Sequence, residues 1–228
     1  DKDRSDRSTY KLLGGSIGFY GSTLNTRQYA TKGYLEKLIA QVFTGRERFE
    51  PGNPQEGYSP SPQERQSWLQ ISYMKEAYHT MGPKFTLGWM AEALYSSKNF
   101  SENYTATMMQ AGEFAPTPHS KLMYNEAFRA NQYVAAGIKP IFVLNDMFQC
   151  RTEFYGFTPI FPIKKNALNK AYYGKAFSRF EYMGEVSVIC HLPFGAISAY
   201  VNHYSSPRRE WNVGMTIGWQ LFNYRFVE

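Results

Sequence analysis

The stretch that decides the fold is Trp211-Asn212-Val213-Gly214-Met215-Thr216-Ile217-Gly218-Trp219-Gln220-Leu221. Its odd positions are large and apolar: Trp211, Val213, Met215, Ile217, Trp219 and Leu221. Its even positions are small or polar: Asn212, Gly214, Thr216, Gly218 and Gln220. Side chains of a β-strand point alternately to its two faces, so this is a strand with one oily and one polar side. A soluble sheet also buries one such face. What sets this strand apart is an indole near each end of the oily side. Trp211 and Trp219 are eight residues apart, about 20 Å of depth for a tilted strand. That spacing suits the two aromatic girdles of a strand crossing a bilayer.

The same alternation runs back along the chain. In 196–204, Ile197, Ala199 and Val201 oppose Ser198, Tyr200, Asn202 and Tyr204. In 179–191, Phe180, Tyr182, Gly184, Val186 and Val188 oppose Arg179, Glu181, Met183, Glu185 and Ser187. Charges along one face of a long strand suit a hydrated lumen, because in a sandwich core each would need a partner. Further strands are predicted at 147–157 and 132–144, and less crisply at 9–20, 34–47, 67–79, 84–96 and 103–114. Residues 50–66, rich in Pro and Gly, and 115–131 read as long loops. Short and long connections alternate, as in outer-membrane barrels. The turns at Asn145-Asp146 and Pro193-Phe194 are therefore expected on the periplasmic side, and loops 159–173 and 205–210 outside.

Composition narrows the class. Of 228 residues, 17% are aromatic and only 19% charged. Mean hydropathy is −0.48, and no apolar run approaches the roughly 18 residues a membrane helix needs. Only helices and closed barrels satisfy their backbone groups in lipid, so a barrel is the remaining membrane architecture. About ten strands, with roughly 23 residues for each strand and its connection, suit tilted membrane strands. A closed ten-stranded barrel and part of a larger one both fit. The polar start, Asp1 to Arg7, reads as a processed chain or an internal piece of a longer one. The net charge of +6 is scattered, which argues against nucleic acid; it reads as solvated loops and lumen, or as contact with anionic lipid or lipopolysaccharide phosphates. Cys150 and Cys190 are expected near the periplasmic ends of adjacent strands on one outward face, as free thiols or as a bridge.

Chemistry-bearing motifs are few. Gly14-Gly15-Ser16-Ile17-Gly18 matches a nucleophile elbow, which requires a strand, a sharp turn and a helix. Here the alternation of Leu13, Gly15, Ile17 and Phe19 continues through it, and none of the four aspartates (Asp1, Asp3, Asp6, Asp146) precedes a glycine. His79, His119, His191 and His203 are far apart. No metal-ligand spacing and no phosphate-binding glycine loop occurs, so no cofactor, metal or catalytic residue is expected in this segment.

Three runs carry a resemblance. They are Ala115-Pro116-Thr117-Pro118-His119-Ser120-Lys121 leading to Phe128-Arg129-Ala130-Asn131-Gln132-Tyr133, then Arg151-Thr152-Glu153-Phe154-Tyr155-Gly156-Phe157, and Leu192-Pro193-Phe194-Gly195-Ala196-Ile197-Ser198, with Ile217–Asn223 closing the chain. Together they resemble the C-terminal barrel of the bacterial surface-antigen outer-membrane superfamily, most closely the barrel fused to patatin-like phospholipases of Bacteroidetes-type bacteria. The resemblance covers residues 84–228 well and 9–50 loosely. It implies that residues 1–228 are the C-terminal part of a transmembrane, antiparallel up-and-down barrel of sixteen strands in the outer membrane. It also implies a long loop folded back into the lumen, with Arg129 and Tyr133 as its motif and Glu153 as the wall carboxylate that Arg129 meets; Ala130 stands where the family has Gly. The function so implied is to anchor, display or export an attached patatin-like lipase domain. The same barrel also serves factors that assemble or translocate other outer-membrane proteins. A diffusion porin, and a barrel enzyme acting through Ser16 or a histidine, are the rivals from other classes.

Overall fold

The computed structural model describes residues 6–52, 65–193, 195–205 and 211–219. In chain order its strands are β1 (Arg7–Ser22), β2 (Gly33–Glu50), β3 (Arg65–Thr80), β4 (Phe85–Ser96), β5 (Gly112–Glu113), β6 (Arg129–Ala130), β7 (Gln132–Val143), β8 (Phe148–Pro159), β9 (Ile163–Lys165), β10 (Ala171–Tyr173), β11 (Glu181–Leu192), β12 (Gly195–Tyr204) and β13 (Trp211–Trp219). A short helix, α1 (Tyr104–Gln110), lies between β4 and β5. Nine strands form one sheet in the order β1-β2-β3-β4-β7-β8-β11-β12-β13. Every neighbouring pair in it is antiparallel. The fold is all-β, a meander in which each long strand pairs with the next along the chain.

One predicted strand is absent. Residues 103–114 form α1 and the two-residue β5. Asn103 caps the helix, its side-chain oxygen accepting from the Ala106 N–H at 2.7 Å. Tyr104, Ala106 and Met108 alternate with Thr105, Thr107 and Met109, a run short enough to be read at either period. Of the long-loop expectations, 53–64 lies outside the described residues, as do Phe194, 206–210 and 220–228.

The sheet is curled. Tyr29, in the connection between β1 and β2, shares a hydrogen bond of 2.6 Å with Ser198 of β12. In a flat sheet β2 and β12, six places apart in the order, would be about 29 Å from each other. Tyr29 is four residues from Gly33 at the start of β2, a reach of at most about 14 Å. Only strong curvature closes that gap.

Its two faces are chemically opposite. Outward lie Ile138, Phe142, Phe154, Val186, Val188 and Met215, all exposed. Inward, Gln149, Arg151, Glu153, Ser187, Ser198 and Asn202 are buried. Within β11, Ser187 is 3% exposed and its neighbour Val188 50%. That inverts the arrangement of a soluble protein, where ionised groups are the last to be buried. The apolar core sits inside the curl: Phe114 and Phe128 from the β4–β7 connection pack on Tyr133, Tyr155, Phe157 and Met183 of the wall.

Cys150 and Cys190 are both free. Cys150 stands opposite Val188, and Cys190 opposite Phe148, so the two thiols are diagonal neighbours. Directly opposed Cβ atoms lie about 4.5–5.5 Å apart and diagonal ones about 7–8 Å, whereas a disulfide needs about 3.8 Å. Mild oxidation is therefore expected to bridge Cys150 to the new thiol in a Val188→Cys, Cys190→Ser chain and to leave two titratable thiols in the native one. A native Cys150–Cys190 bridge under those conditions would contradict this register.

Candidate functional site

The inward face of β7, β8 and β3 carries a buried ionic cluster. Arg151 is 2% exposed and pairs with Glu153 two residues on, Nη2 to Oε1 at 2.9 Å. Period two puts both on one face. The second Glu153 oxygen accepts from the Tyr155 hydroxyl at 2.7 Å. Next to it Lys139 of β7 reaches over β4 to pair with Glu76 of β3 at 2.8 Å, and the Tyr78 hydroxyl also donates to Glu76. Gly137 makes room for this: the Tyr155 ring occupies the space where a Cβ on residue 137 would be. A buried pair of this kind adds little net stability, but removing one partner strands the other and costs about 3–5 kcal/mol.

Two inserted segments complete the cluster. The first is a strap, residues 23–32 between β1 and β2. Arg151 Nη1 donates to the Ala30 carbonyl at 3.0 Å, and Gln149 Nε2 to the Tyr29 carbonyl at 3.1 Å. Tyr29 is held at φ 54°, a left-handed conformation unfavourable for a bulky side chain. These two carbonyl contacts and the Ser198 contact hold it there. The strap enters from the end of the sheet where the short turns lie.

The second segment is the β4–β7 connection, residues 97–131, which folds back inside from the opposite end. Phe114 stacks on Phe157 at 5.9 Å, and Phe128 meets Phe157 at 5.6 Å. Each ring is 1% exposed, and full burial of such a side chain is worth about 1.5–3 kcal/mol. His119 anchors the far side: its Nδ1 lies 2.8 Å from Asn202 Nδ2 and 3.0 Å from the Tyr204 hydroxyl, both on β12. Burial holds the imidazole below its usual pKa, which suits a neutral Nδ1 accepting from these donors.

Arg129 sits in this fold-back loop, but its partner is not Glu153. It pairs with Glu113, the residue directly opposite it in the β5–β6 ladder, and its Nη1 faces the carbonyls of Met108, Met109 and Ala111. Glu153 is instead held by Arg151 on one oxygen and by Tyr155 on the other. Tyr133 is the motif residue that reaches a wall carboxylate: its hydroxyl donates to Glu92 Oε1 at 2.5 Å and lies 3.2 Å from the Glu113 carbonyl. The expected hydrated lumen is, around these charges, a protein-filled one.

The remaining expectations fall as follows. Trp211 is exposed on the outward face and rests on His203 at 5.0 Å. Trp219 pairs through its backbone with Gly195, and its side chain lies outside the described residues. Ser16 is in the middle of β1, opposite Gln41, in an unbroken ladder with no turn or helix behind it. His79 meets Trp89 and His191 meets Gln149, so the four histidines have separate surroundings. Among the described residues no three His, Cys, Asp or Glu side chains converge as metal ligands. Sequence reading missed Glu113, Glu76, Lys139 and the strap. Lys139 alone had a signal, a charge in the apolar run Gly137-Ile138-Lys139-Pro140-Ile141. No protein-family model, curated protein or solved structure matches this chain.

A double-mutant cycle separates the two partners of Arg129. Coupling between Arg129→Ala and Glu113→Ala is expected at about 1–3 kcal/mol in unfolding experiments, and between Arg129→Ala and Glu153→Ala within about 0.5 kcal/mol of zero. The reverse ranking would restore the wall pairing.

Proposed function

We propose that this chain is the membrane-embedded part of a surface-antigen-type outer-membrane barrel, whose loop-filled interior anchors and displays, or exports, an attached patatin-like lipase domain. One observation carries the membrane reading: a continuous outward belt of exposed Ile, Val, Phe and Met around an interior of buried, paired charges. An exposed apolar surface of this breadth marks an interface with lipid or protein. Lipid is favoured because the belt reaches from one edge of the sheet to the other, with Leu13 and Ile17 on β1 and Val213 and Ile217 on β13. The partners are then membrane lipids and lipopolysaccharide, with other outer-membrane proteins where strands meet them.

The two inserted segments favour an anchor over a diffusion porin. The strap and the fold-back loop enter from opposite ends and meet the same wall, at Arg151 and Tyr155 respectively. A path for hydrophilic solutes would have to pass both. The lipase assignment rests on the resemblance of the three sequence runs, and the chemistry would then belong to a domain outside this segment.

Two measurements test the reading. Ile138 is outward in the middle of β7 and 52% exposed. Ile138→Arg is expected to destabilise the chain folded in lipid vesicles by about 2–4 kcal/mol, the cost of Arg near a bilayer midplane. At a water-facing position the change would stay within about 0.5 kcal/mol, and that result would remove the chain from the membrane. In planar bilayers the chain is expected to pass little current, and deletion of residues 99–127 to raise it. Large, steady native conductance would instead favour the porin. For the attached domain, phospholipase activity is expected from the full-length gene product and not from residues 1–228 alone.

A further inference from the structure

The described residues fill much of the interior but leave a sizeable cavity. A cavity of about 850 Å³ opens between the first half of β1, the second half of β2, the start of β3 and helix α1. Its size lies within the usual range for small-molecule sites, about 300–1,000 Å³. Leu12, Phe43, Trp68 and Met109 give it apolar walls, with Phe43 and Trp68 stacked at 5.1 Å.

Its polar groups are unevenly satisfied. Asp6 accepts from the Gly52 N–H and the Asn103 amide. Glu47, beside the cavity, accepts from the Tyr10 hydroxyl and the Glu102 N–H. The acids therefore have partners. Lys98 does not. It is 9% exposed and lines the cavity. Among the described residues its ammonium donates no hydrogen bond and has no carboxylate within ion-pair distance. What it faces are two rings, Trp68 at 4.8 Å and Tyr10 at 5.7 Å from their centroids. Ring faces attract a cation but offer it no anionic charge. Gln110 lines the same cavity, and its amide nitrogen and oxygen are both buried without a partner among the described residues. A buried amide left in this state calls for a partner, which a bound molecule would supply.

We propose that this cavity binds an anionic amphiphile, with a carboxylate or phosphate head group held by the Lys98 ammonium and the Gln110 amide and an aliphatic tail against Phe43, Trp68, Leu12 and Met109. The free valences are the Lys98 ammonium and the two atoms of the Gln110 amide, one a donor and one an acceptor; the only formal charge among them is positive, and it selects an anion that accepts from both nitrogens. The apolar walls select a tail over a free inorganic ion. Burial, opposed by Glu47, pushes the Lys98 ammonium down to about 8. An anion in the cavity would favour the protonated form and reverse that shift. Among the described residues the other ionisable groups around the ammonium are Asp6, Glu47 and Tyr10, engaged as described, and Arg46 at the edge of the cavity.

Trp68 in the cavity wall supplies the readout. The full chain in maltoside micelles is titrated with terminally brominated dodecanoate, which quenches indole fluorescence on contact. The Trp68→Phe chain gives the background from Trp89, Trp211 and Trp219. Saturable quenching assigned to Trp68 is expected, at least tenfold weaker for brominated dodecanol and at least tenfold weaker in Lys98→Gln. Lys98→Arg should retain binding. Lys98→Gln removes an unpaired buried charge, so its unfolding midpoint should not fall, and a loss of binding cannot then be ascribed to misfolding. Wild-type affinity should decline as pH rises through about 8, because only the protonated amine attracts the anion, while Lys98→Arg stays flat. Dodecyl phosphate in a competing arm tells a phosphate head group from a carboxylate by which one displaces the other. Equal affinity for the acid and the alcohol, unsaturable quenching, or full affinity in Lys98→Gln would each overturn the proposal.

Discussion

The structure depends on a wall whose inward face is ionic and has no bulk water against most of it. Arg151, Glu153, Lys139 and Glu76 are buried, and a buried ion is tolerated only when each hydrogen-bonding valence finds a partner. Strand geometry supplies some of those partners, since period two sets Arg151 and Glu153 side by side. Long side chains reaching over neighbouring strands supply others, joining Glu76 and Tyr78 of β3 to Lys139 of β7 and Arg151 of β8. Arg151 still has a donor left over, and the strap carbonyl at Ala30 accepts it. The inserted segments are therefore part of the electrostatic closure of the wall.

The legible part of the fold follows from the opposition of faces. Residues 147–157 or 179–191 alternate because one side of each strand is outward and exposed and the other faces a buried polar interior, and that alternation is written residue by residue. It gave the long strands with boundaries within a few residues and the outward placing of Cys150, Cys190 and Trp211. The fold-back of the loop before β7 came from the resemblance and has its counterpart in residues 97–131. What stayed hidden depends on partners distant in sequence or on backbone atoms. Nothing local ties Glu113 to Arg129, sixteen residues later. Glu153 looked available because alternation places it inward, but alternation is silent on Arg151 having claimed it. The strap was invisible for a different reason: what Gln149 and Arg151 recognise there are the carbonyls of Tyr29 and Ala30, and every residue has a carbonyl.

The two inserted segments are held by different physics. The fold-back loop keeps its main charge pair to itself, because Arg129 and Glu113 both belong to it. It meets the wall through rings, Phe114 and Phe128, and through neutral contacts at His119, along with the Tyr133 hydroxyl reaching in from the wall; one partly exposed cation, Arg179 just before β11, also donates to its Ala127 carbonyl. The strap has the opposite arrangement. A deeply buried wall cation, Arg151, grips its backbone. Withdrawing the loop would expose apolar surface but break no wall ion pair. Withdrawing the strap would take a hydrogen-bond acceptor from a buried guanidinium, and a charged donor left unsatisfied costs more than a neutral one. By that comparison the strap end is the more firmly closed of the two. Any opening of the interior is then most easily made from the end with the long loops, where the cavity beside Lys98 already lies.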